Sequence, residues 1–263
     1  MFYSSKEESQ ILGFHVARGD DSCLENPTSL VETLEKEKVD ILKLNCKNPP
    51  ADLYLKLDAL QLDYYVLGIV QEYKSVFAKN PDTKEYLHPS VRFEEYTLDK
   101  KELLDALVKD IFKHNTASYF KNPLLVNASD TQKQLRCLSK YIGSYCKELD
   151  ASKYTHIMYA DDTPMGFISS YKEGQGGGVV YAGILDSYVG RGYYLDLVRF
   201  IQNYGKSIGQ KWGLAYAQIH HNAIQKTFVR EGLKPQGYVL NIHINSCFGD
   251  LKHVKESLQA DQK

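Results

Sequence analysis

The chain has 263 residues, with 32 Lys and Arg against 33 Asp and Glu, for a formal net charge of −1. That length holds one large domain or two small ones around a well-buried core, and the charge balance argues against a nucleic-acid or membrane-surface protein, which needs a basic face and usually a basic excess. No apolar run approaches the ~18 residues of a membrane span, and the opening MFYSSKEESQ does not read as a signal peptide, so a cytoplasmic location is expected.

Residues 10–18 (QILGFHVAR) alternate as a strand, and residues 27–36 begin a helix with Pro27 and Thr28 at its start. A strand over 39–44, a helix from Pro50 to about Leu60 and a third strand over 62–70 (LDYYVLGIV) follow. Alternation of this kind predicts a small α/β N-terminal domain, residues 1–88, with a mostly parallel sheet. Residues 77–89, which carry Asn80-Pro81-Asp82 and His88-Pro89, read as a linker.

The second domain, residues 89–248, opens with a strand over 91–96 and a helix over 99–115 that sets Leu103, Leu104, Leu107, Val108 and Ile111 on one face. The loop SYFKNPLLVN precedes a long helix over about 130–149, and residues 154–160 and 165–171 make a hairpin about a turn at 161–164. The glycines of 174–178 read as a flexible hairpin loop and not as a phosphate cradle, because no helix follows them. Residues 249–263 read as a C-terminal tail. The five cysteines are odd in number and lack any C-x-x-C pair, so they read as reduced thiols, neither a disulfide frame nor a metal site. The Asn127-Ala128-Ser129 sequon carries no meaning without secretion. Tyr is abundant at 20 residues, able to stack on rings and donate hydroxyls, or simply to cover half-buried strands.

Residues 179–228 have the spacing of a chemical site. An apolar strand over 179–187 runs into Gly190-Arg191-Gly192, and a helix over about 193–208 follows at once, stopped by Gly209. A glycine turn feeding a helix leaves the first backbone N–H groups pointing outward as an anion site, each interaction with the dipole contributing ~0.3–1 kcal/mol. By itself the turn reads equally as a tight strand-to-helix connection. A second strand, 212–219, then leads to His221-Asn222-Ala223 at the head of an amphipathic helix that stops at Gly232, and residues 238–244 alternate as a final strand. The vicinal His220-His221 pair is not a metal site, because adjacent side chains diverge on both helix and strand.

This order of elements, with GRG heading one helix and Asn222 the next, resembles the acetyl-CoA-dependent GNAT acyltransferases. The resemblance implies an α/β (α+β) fold with a mixed central sheet. It also implies acetyl-CoA or another acyl-CoA as co-substrate, with no metal. The family's Gln/Arg-x-x-Gly-x-Gly/Ala turn falls on Val189, Gly192 and Tyr194, so only the central glycine fits strictly. By the same resemblance the turn residues Gly190, Arg191, Gly192, Tyr193 and Tyr194 hold the CoA pyrophosphate. Backbone N–H groups near Ile184 and Leu185 polarise the thioester carbonyl, and Asn222 and Phe228 flank the thioester. The opening Glu8, Ser9, Ile11-Leu12, Gly13-Phe14 and Arg18, with the SYFKNP loop, is similar to the dTDP-fucosamine acetyltransferases and related nucleotide-amino-sugar N-acyltransferases. That implies acyl transfer to the amine of a dTDP-linked dideoxy-amino sugar for bacterial surface polysaccharide (lipopolysaccharide or O-antigen) synthesis, contacts to the sugar nucleotide from Tyr119, Phe120, Lys121 and Asn122, and a homodimer. Neither nucleic acid nor membrane is an expected partner.

Two positions depart from the family's pattern. Phe228 stands where a tyrosine normally protonates the leaving thiolate, a role typically contributing ~10²–10⁴ in rate; His221, Tyr181 and Tyr238 remain as candidates for proton transfer. Tyr194 replaces a small residue and suggests an acyl group larger than acetyl, such as hydroxybutyryl. Other readings that the residues leave open are a GNAT acting on another small amine or peptide, and a CoA-binding module without turnover.

Overall fold

The computed structural model describes residues 2–77, 83–113, 122–127 and 131–248. Tyr119, Phe120, Lys121, the Asn80-Pro81-Asp82 turn and the tail 249–263 lie outside the described residues. By internal contacts the chain forms two compact units: residues 1–70, 116–137 and 237–263 make the first, and residues 71–115 and 138–236 the second. Single elements cross from one unit to the other: β4 (Asp63–Val76), α6 (Thr131–Gly143) and β10 (Lys234–Asn245) each contribute to both.

The first unit contains β1 (Tyr3–Ser4), α1 (Lys6–Leu12), β2 (Val16–Gly19), α2 (Pro27–Lys36), β3 (Ile41–Lys47), α3 (Leu53–Asp58) and α5 (Pro123–Asn127). Its strand order is β1-β2-β3-β10-β4. α2 starts where its caps put it: the Asn26 side chain accepts from the Ser29 N–H at 3.1 Å and Pro27 occupies the first helical turn. The alternation read over 10–18 is instead the end of α1, closed by Gly13 in the left-handed region at φ 74, and then β2. The expected mostly parallel sheet is mixed. β2 and β3 run parallel, whereas β10 pairs antiparallel to β3. One sheet face packs Leu42, Leu44, Leu240, Ile242 and Ile244 against Leu30, Leu34, Leu53 and Leu57. The other face carries Arg18, Lys43 and His243 side by side in register, with the buried Glu8 bonded at 2.5 Å to both Arg18 and Lys43. Burial pulls the Lys43 ammonium down to about 8 although Glu8 opposes the shift.

The second unit orders its strands β4-β9-β8-β7-β6-β5, with β5 (Val91–Glu95), β6 (Lys153–Ala160), β7 (Thr163–Glu173), β8 (Gly176–Ile184), β9 (Trp212–Gln218), and helices α4 (Lys101–Phe112), α7 (Tyr193–Ser207) and α8 (Asn222–Arg230). β6 and β7 join through Asp161 and Asp162, both at positive φ, which matches a two-residue hairpin turn. Gly176 to Gly178 belong to β8 and not to a loop, because neighbouring rings occupy the space a side chain would need: Trp212 lies on Gly176, and Tyr171 lies on Gly178. Gly176→Ala is therefore expected to destabilise the protein by ~1–3 kcal/mol in thermal unfolding. Gly174→Ala, in open space but at φ 55, tests backbone strain alone and is expected to cost ~1–2 kcal/mol.

α7 covers one face of this sheet, packing Leu197 and Phe200 on Met158, Met165, Ile168, Ala182 and Ile184. α4 covers the other, with Ile111 against Gly183 and Phe112 near Phe167 and Tyr181. Cys23, Cys46 and Cys146 are buried thiols and Cys247 is exposed. No helix among the described residues is long and apolar enough to cross a membrane.

Candidate functional site

β8 and β9 run parallel, and their ladder is limited to Gly178↔Leu214. Beyond that pair the ladder stops among the described residues, and β8 passes from buried to half-exposed. The direction of the freed backbone groups follows from the other edge of β8. Leu185 donates to the Met165 carbonyl at 2.8 Å, and in an antiparallel ladder hydrogen-bonded and non-bonded pairs alternate. Since Gly166 faces Ile184 and Ile168 faces Ala182, the N–H and C=O groups of Ile184 and Ala182 point away from β7, into the opening towards β9. Leu185 is thereby removed as an oxyanion donor, and Ile184 is left in that orientation.

The chain then makes a short turn of 3-10 helix (Asp186–Tyr188) and reaches Gly190 and Gly192, at φ 79 and 92. Val189 spends its N–H on the Asp186 carbonyl at 3.1 Å. Its side chain is exposed. The N–H groups of residues 190–194 bond to no backbone carbonyl among the described residues, so they form a continuous run of outward donors at the start of α7. Gly192 is required twice over, by its positive φ and because a Cβ there would lie 2.7 Å from Leu87 Cδ2 and 3.3 Å from His88 Cε1.

A strap over residues 84–88, read in sequence as a linker, fixes this turn. Asp196, wholly buried in the first turn of α7, accepts from the Leu87 N–H, from the His88 N–H at 3.3 Å and from His88 Nδ1 at 2.6 Å. The His88 ring stacks on Tyr193 at 3.9 Å. Lys84 Nζ donates to the buried Glu231 carboxylate at 3.0 Å, Arg199 donates to the same carboxylate at 3.2 Å, and Asn203 exchanges bonds with the Lys84 backbone.

On the α7 and α8 face, Phe228 is buried in a cluster with Tyr73, Val198, Ala215, Ala217 and Leu233, and Tyr194 packs against it. Tyr73 meets Phe228 edge to face at 5.2 Å and donates its hydroxyl to Gln225 Oε1 at 3.0 Å. The Tyr194 phenol is held well above its ordinary range by burial. His221 precedes α8 half-buried against His220, and burial, then the His220 charge, lower its pKa. Asn222 is exposed at the first position of α8. On the opposite face Tyr181 packs against Phe112 and Tyr141. Two predicted residues belong to the first unit. Tyr238 is 52% exposed there, while Asn122 is fully buried and bonded to His243 at 3.1 Å and Asn245 at 2.8 Å, a structural network. Sequence reading missed the Asp196–His88 and Glu231–Lys84–Arg199 groups, Tyr73, and a carboxylate, Glu72, that accepts from Tyr216 on the Tyr181 face.

No protein-family model matches the sequence, and no curated protein matches it. Solved structures do match. A conserved protein of unknown function from Staphylococcus epidermidis aligns over 90% of this chain and 88% of its own, with a TM-score of 0.58 at 14% identity. A GCN5-related N-acetyltransferase from Sphaerobacter thermophilus aligns over 92% and 75%, at 0.57 and 12%. Another from Kribbella flavida aligns over 88% and 81%, at 0.56 and 9%. The chain has the fold of the GCN5-related N-acetyltransferases.

Proposed function

We propose that the chain is an acyl-CoA-dependent N-acyltransferase. The observation that carries this reading is the parallel pair β8 and β9, whose ladder among the described residues is Gly178↔Leu214, followed by the N–H groups of 190–194, which bond to no backbone carbonyl among the described residues. An opening of that form accepts an extended pantetheine arm along the freed edges, and the amides of Gly190, Arg191, Gly192, Tyr193 and Tyr194 face a pyrophosphate. The Ile184 N–H stands where it would meet a thioester oxygen, and such a donor is typically worth ~3–4 kcal/mol in the transition state. Bound acyl-CoA supplies the activated acyl carbon. The protein supplies orientation, worth up to ~7–11 kcal/mol when both reactants are held.

The finer reading takes the acceptor as the amine of a nucleotide-linked dideoxy-amino sugar in a cytoplasmic, dimeric enzyme of surface polysaccharide synthesis. Its support is the order of elements and the opening residues quoted above, of which Glu8 and Arg18 form a buried ion pair with Lys43 and so act in holding α1 to its sheet. Tyr194, packed inward against the Phe228 cluster, motivates a larger acyl group. Steady-state rates with acetyl-, butyryl- and hydroxybutyryl-CoA test it, and a strong preference for acetyl would dispose of it. The second reading, CoA binding without turnover, is motivated by Phe228, a buried ring with no proton to give.

Release of free thiol from acetyl-CoA, measured with nucleotide-linked 3-amino and 4-amino sugars and with amino acids, separates these. Release with the sugars supports the finer reading, release only with other amines the broader one, and binding without release the second. Gly192→Val is expected to weaken acetyl-CoA binding at least tenfold by calorimetry, through backbone strain and the clash with Leu87.

A further inference from the structure

The strap over residues 84–88 brings to the turn a polar atom that the fold itself does not use. His88 donates Nδ1–H to Asp196 Oδ2 at 2.6 Å, and Asp196 is wholly buried. The ring also lies on Tyr193, with 3.9 Å between centroids and 17° between planes. These two contacts fix its orientation. Its Cε1, the atom between the two nitrogens, sits 3.3 Å from the place a Cβ on Gly192 would occupy. Nε2, the next atom of the ring, has no hydrogen-bond partner among the described residues, and the side chain is 25% exposed. Lys84, at the other end of the strap, is by contrast spent on the Glu231 carboxylate. An unused imidazole nitrogen therefore stands at the rim of the turn whose N–H groups, 190–194, bond to no backbone carbonyl among the described residues.

We propose that His88 is a phosphate ligand of the acyl-CoA site: held as an imidazolium by Asp196, it donates Nε2–H to the pyrophosphate that the 190–194 amides face. The inference rests on the acyltransferase reading and deepens it, because it gives the site a residue that selects a phosphorylated carrier over the bare pantetheine arm.

The chemistry follows from the fixed tautomer. With Nδ1–H committed to a carboxylate, a neutral ring presents a lone pair at Nε2, which repels a phosphate oxygen. Protonation turns the same atom into a donor, and the positive charge then lies between two anions, Asp196 on the inside and phosphate on the outside. Backbone amides carry no net charge, so the imidazolium adds what the turn lacks, a charge-assisted hydrogen bond. The titratable and charged groups around the ring are Asp196 and the Tyr193 phenol from α7, the Tyr188 phenol against Tyr193, Arg191 in the turn, and Tyr86 on the strap, whose phenol is pushed upward by burial and then by Asp196. Lys84 and Arg199 both pair with Glu231 and leave no charge of that set to oppose the ring. Asp196 is thus the group that favours the cation. The bond to phosphate exists only while both ring nitrogens carry protons, so it is present in acid and lost as the pH rises.

His88→Asn is the discriminating variant, because its Nδ2 can replace Nδ1 as the donor to Asp196 while nothing stands at Nε2. Calorimetry gives its affinity for acetyl-CoA and, by displacement, for S-acetylpantetheine, which has no phosphate; the unfolding midpoint is measured alongside. The expected result is a loss of about tenfold for acetyl-CoA at about pH 6 that shrinks to under about twofold at about pH 9, with no change for S-acetylpantetheine. Equal losses with both carriers would make His88 a support for the strap alone, and a loss independent of pH would remove the charge from the argument. Either result overturns the proposal, as does an unchanged affinity for acetyl-CoA. Should His88→Asn fail to fold, the His88 ring resonances of the unmodified protein decide. Saturating acetyl-CoA is expected to raise their titration midpoint by about one pH unit, the equivalent of tenfold in affinity, and an unmoved midpoint overturns the assignment. If the unmodified protein binds no acetyl-CoA at millimolar concentration, the acyltransferase reading falls and this inference with it.

Discussion

Asp196→Ala is expected to lower the free energy of urea unfolding by on the order of 3 kcal/mol and to weaken acetyl-CoA binding along with it. Asp196 is completely buried, and its two oxygens satisfy the Leu87 and His88 N–H groups and His88 Nδ1. Alanine leaves those donors without partners. Each buried donor so orphaned costs about 1–3 kcal/mol, whereas the net worth of an average hydrogen bond is nearer 1 kcal/mol. The stability loss therefore reflects desolvated groups more than lost attraction. The coupling to ligand follows from position. Leu87 and His88 sit against Gly192, and His88 stacks on Tyr193, so releasing the strap frees the residues whose amides face the proposed pyrophosphate. Asp196→Asn, which keeps an acceptor for the Leu87 N–H, is expected to lose about half as much. A variant with unchanged unfolding and unchanged binding would show the strap to be unimportant.

Acid is expected to destabilise the protein by ~3 kcal/mol through His156 alone, progressively as pH falls from about 6.5 to 4. His156 is buried against Phe200 and Tyr204, its Nδ1 has no hydrogen-bond partner among the described residues, and burial, with a lesser contribution from the Lys147 charge, lowers its pKa to about 4. Over that window the unfolded chain binds a proton that the folded chain refuses, so stability drops as the pH drops. His243 acts in the same direction, for burial and then the Lys43 charge hold it well below its ordinary value. His156→Phe, which keeps a ring between Phe200 and Tyr204, is expected to remove that share of the acid sensitivity. Urea unfolding at pH 7 and pH 5 reads it directly, and equal pH dependence in the two proteins would contradict the assignment.

Much of the fold is legible in the sequence wherever a local signal and the tertiary demand agree. α2 runs over the same residues as its Pro27-Thr28 start indicates, and the GRG turn announces itself by glycines that the positive φ of 190 and 192 requires. The reading fails where a ring from elsewhere decides. Glycines at 176–178 look like a loop until Trp212 and Tyr171 are laid on them. β4 extends six residues past its apolar run because Tyr73 and Glu72 serve opposite faces, one among apolar side chains and one under Tyr216. The groups that matter most around the site are invisible for a simpler reason. Asp196 and His88 are 108 residues apart and Glu72 and Tyr216 are 144 apart, and no periodicity links such positions.

The most direct test of the central claim is backbone amide nuclear magnetic resonance of the protein titrated with acetyl-CoA. The account predicts the largest shifts at Ala182 and Ile184, in the β8 edge, and at residues 190–194, with little change at Leu185 and Val189, whose N–H groups are already bonded. Saturable shifts centred elsewhere, or none at millimolar acetyl-CoA, would contradict it.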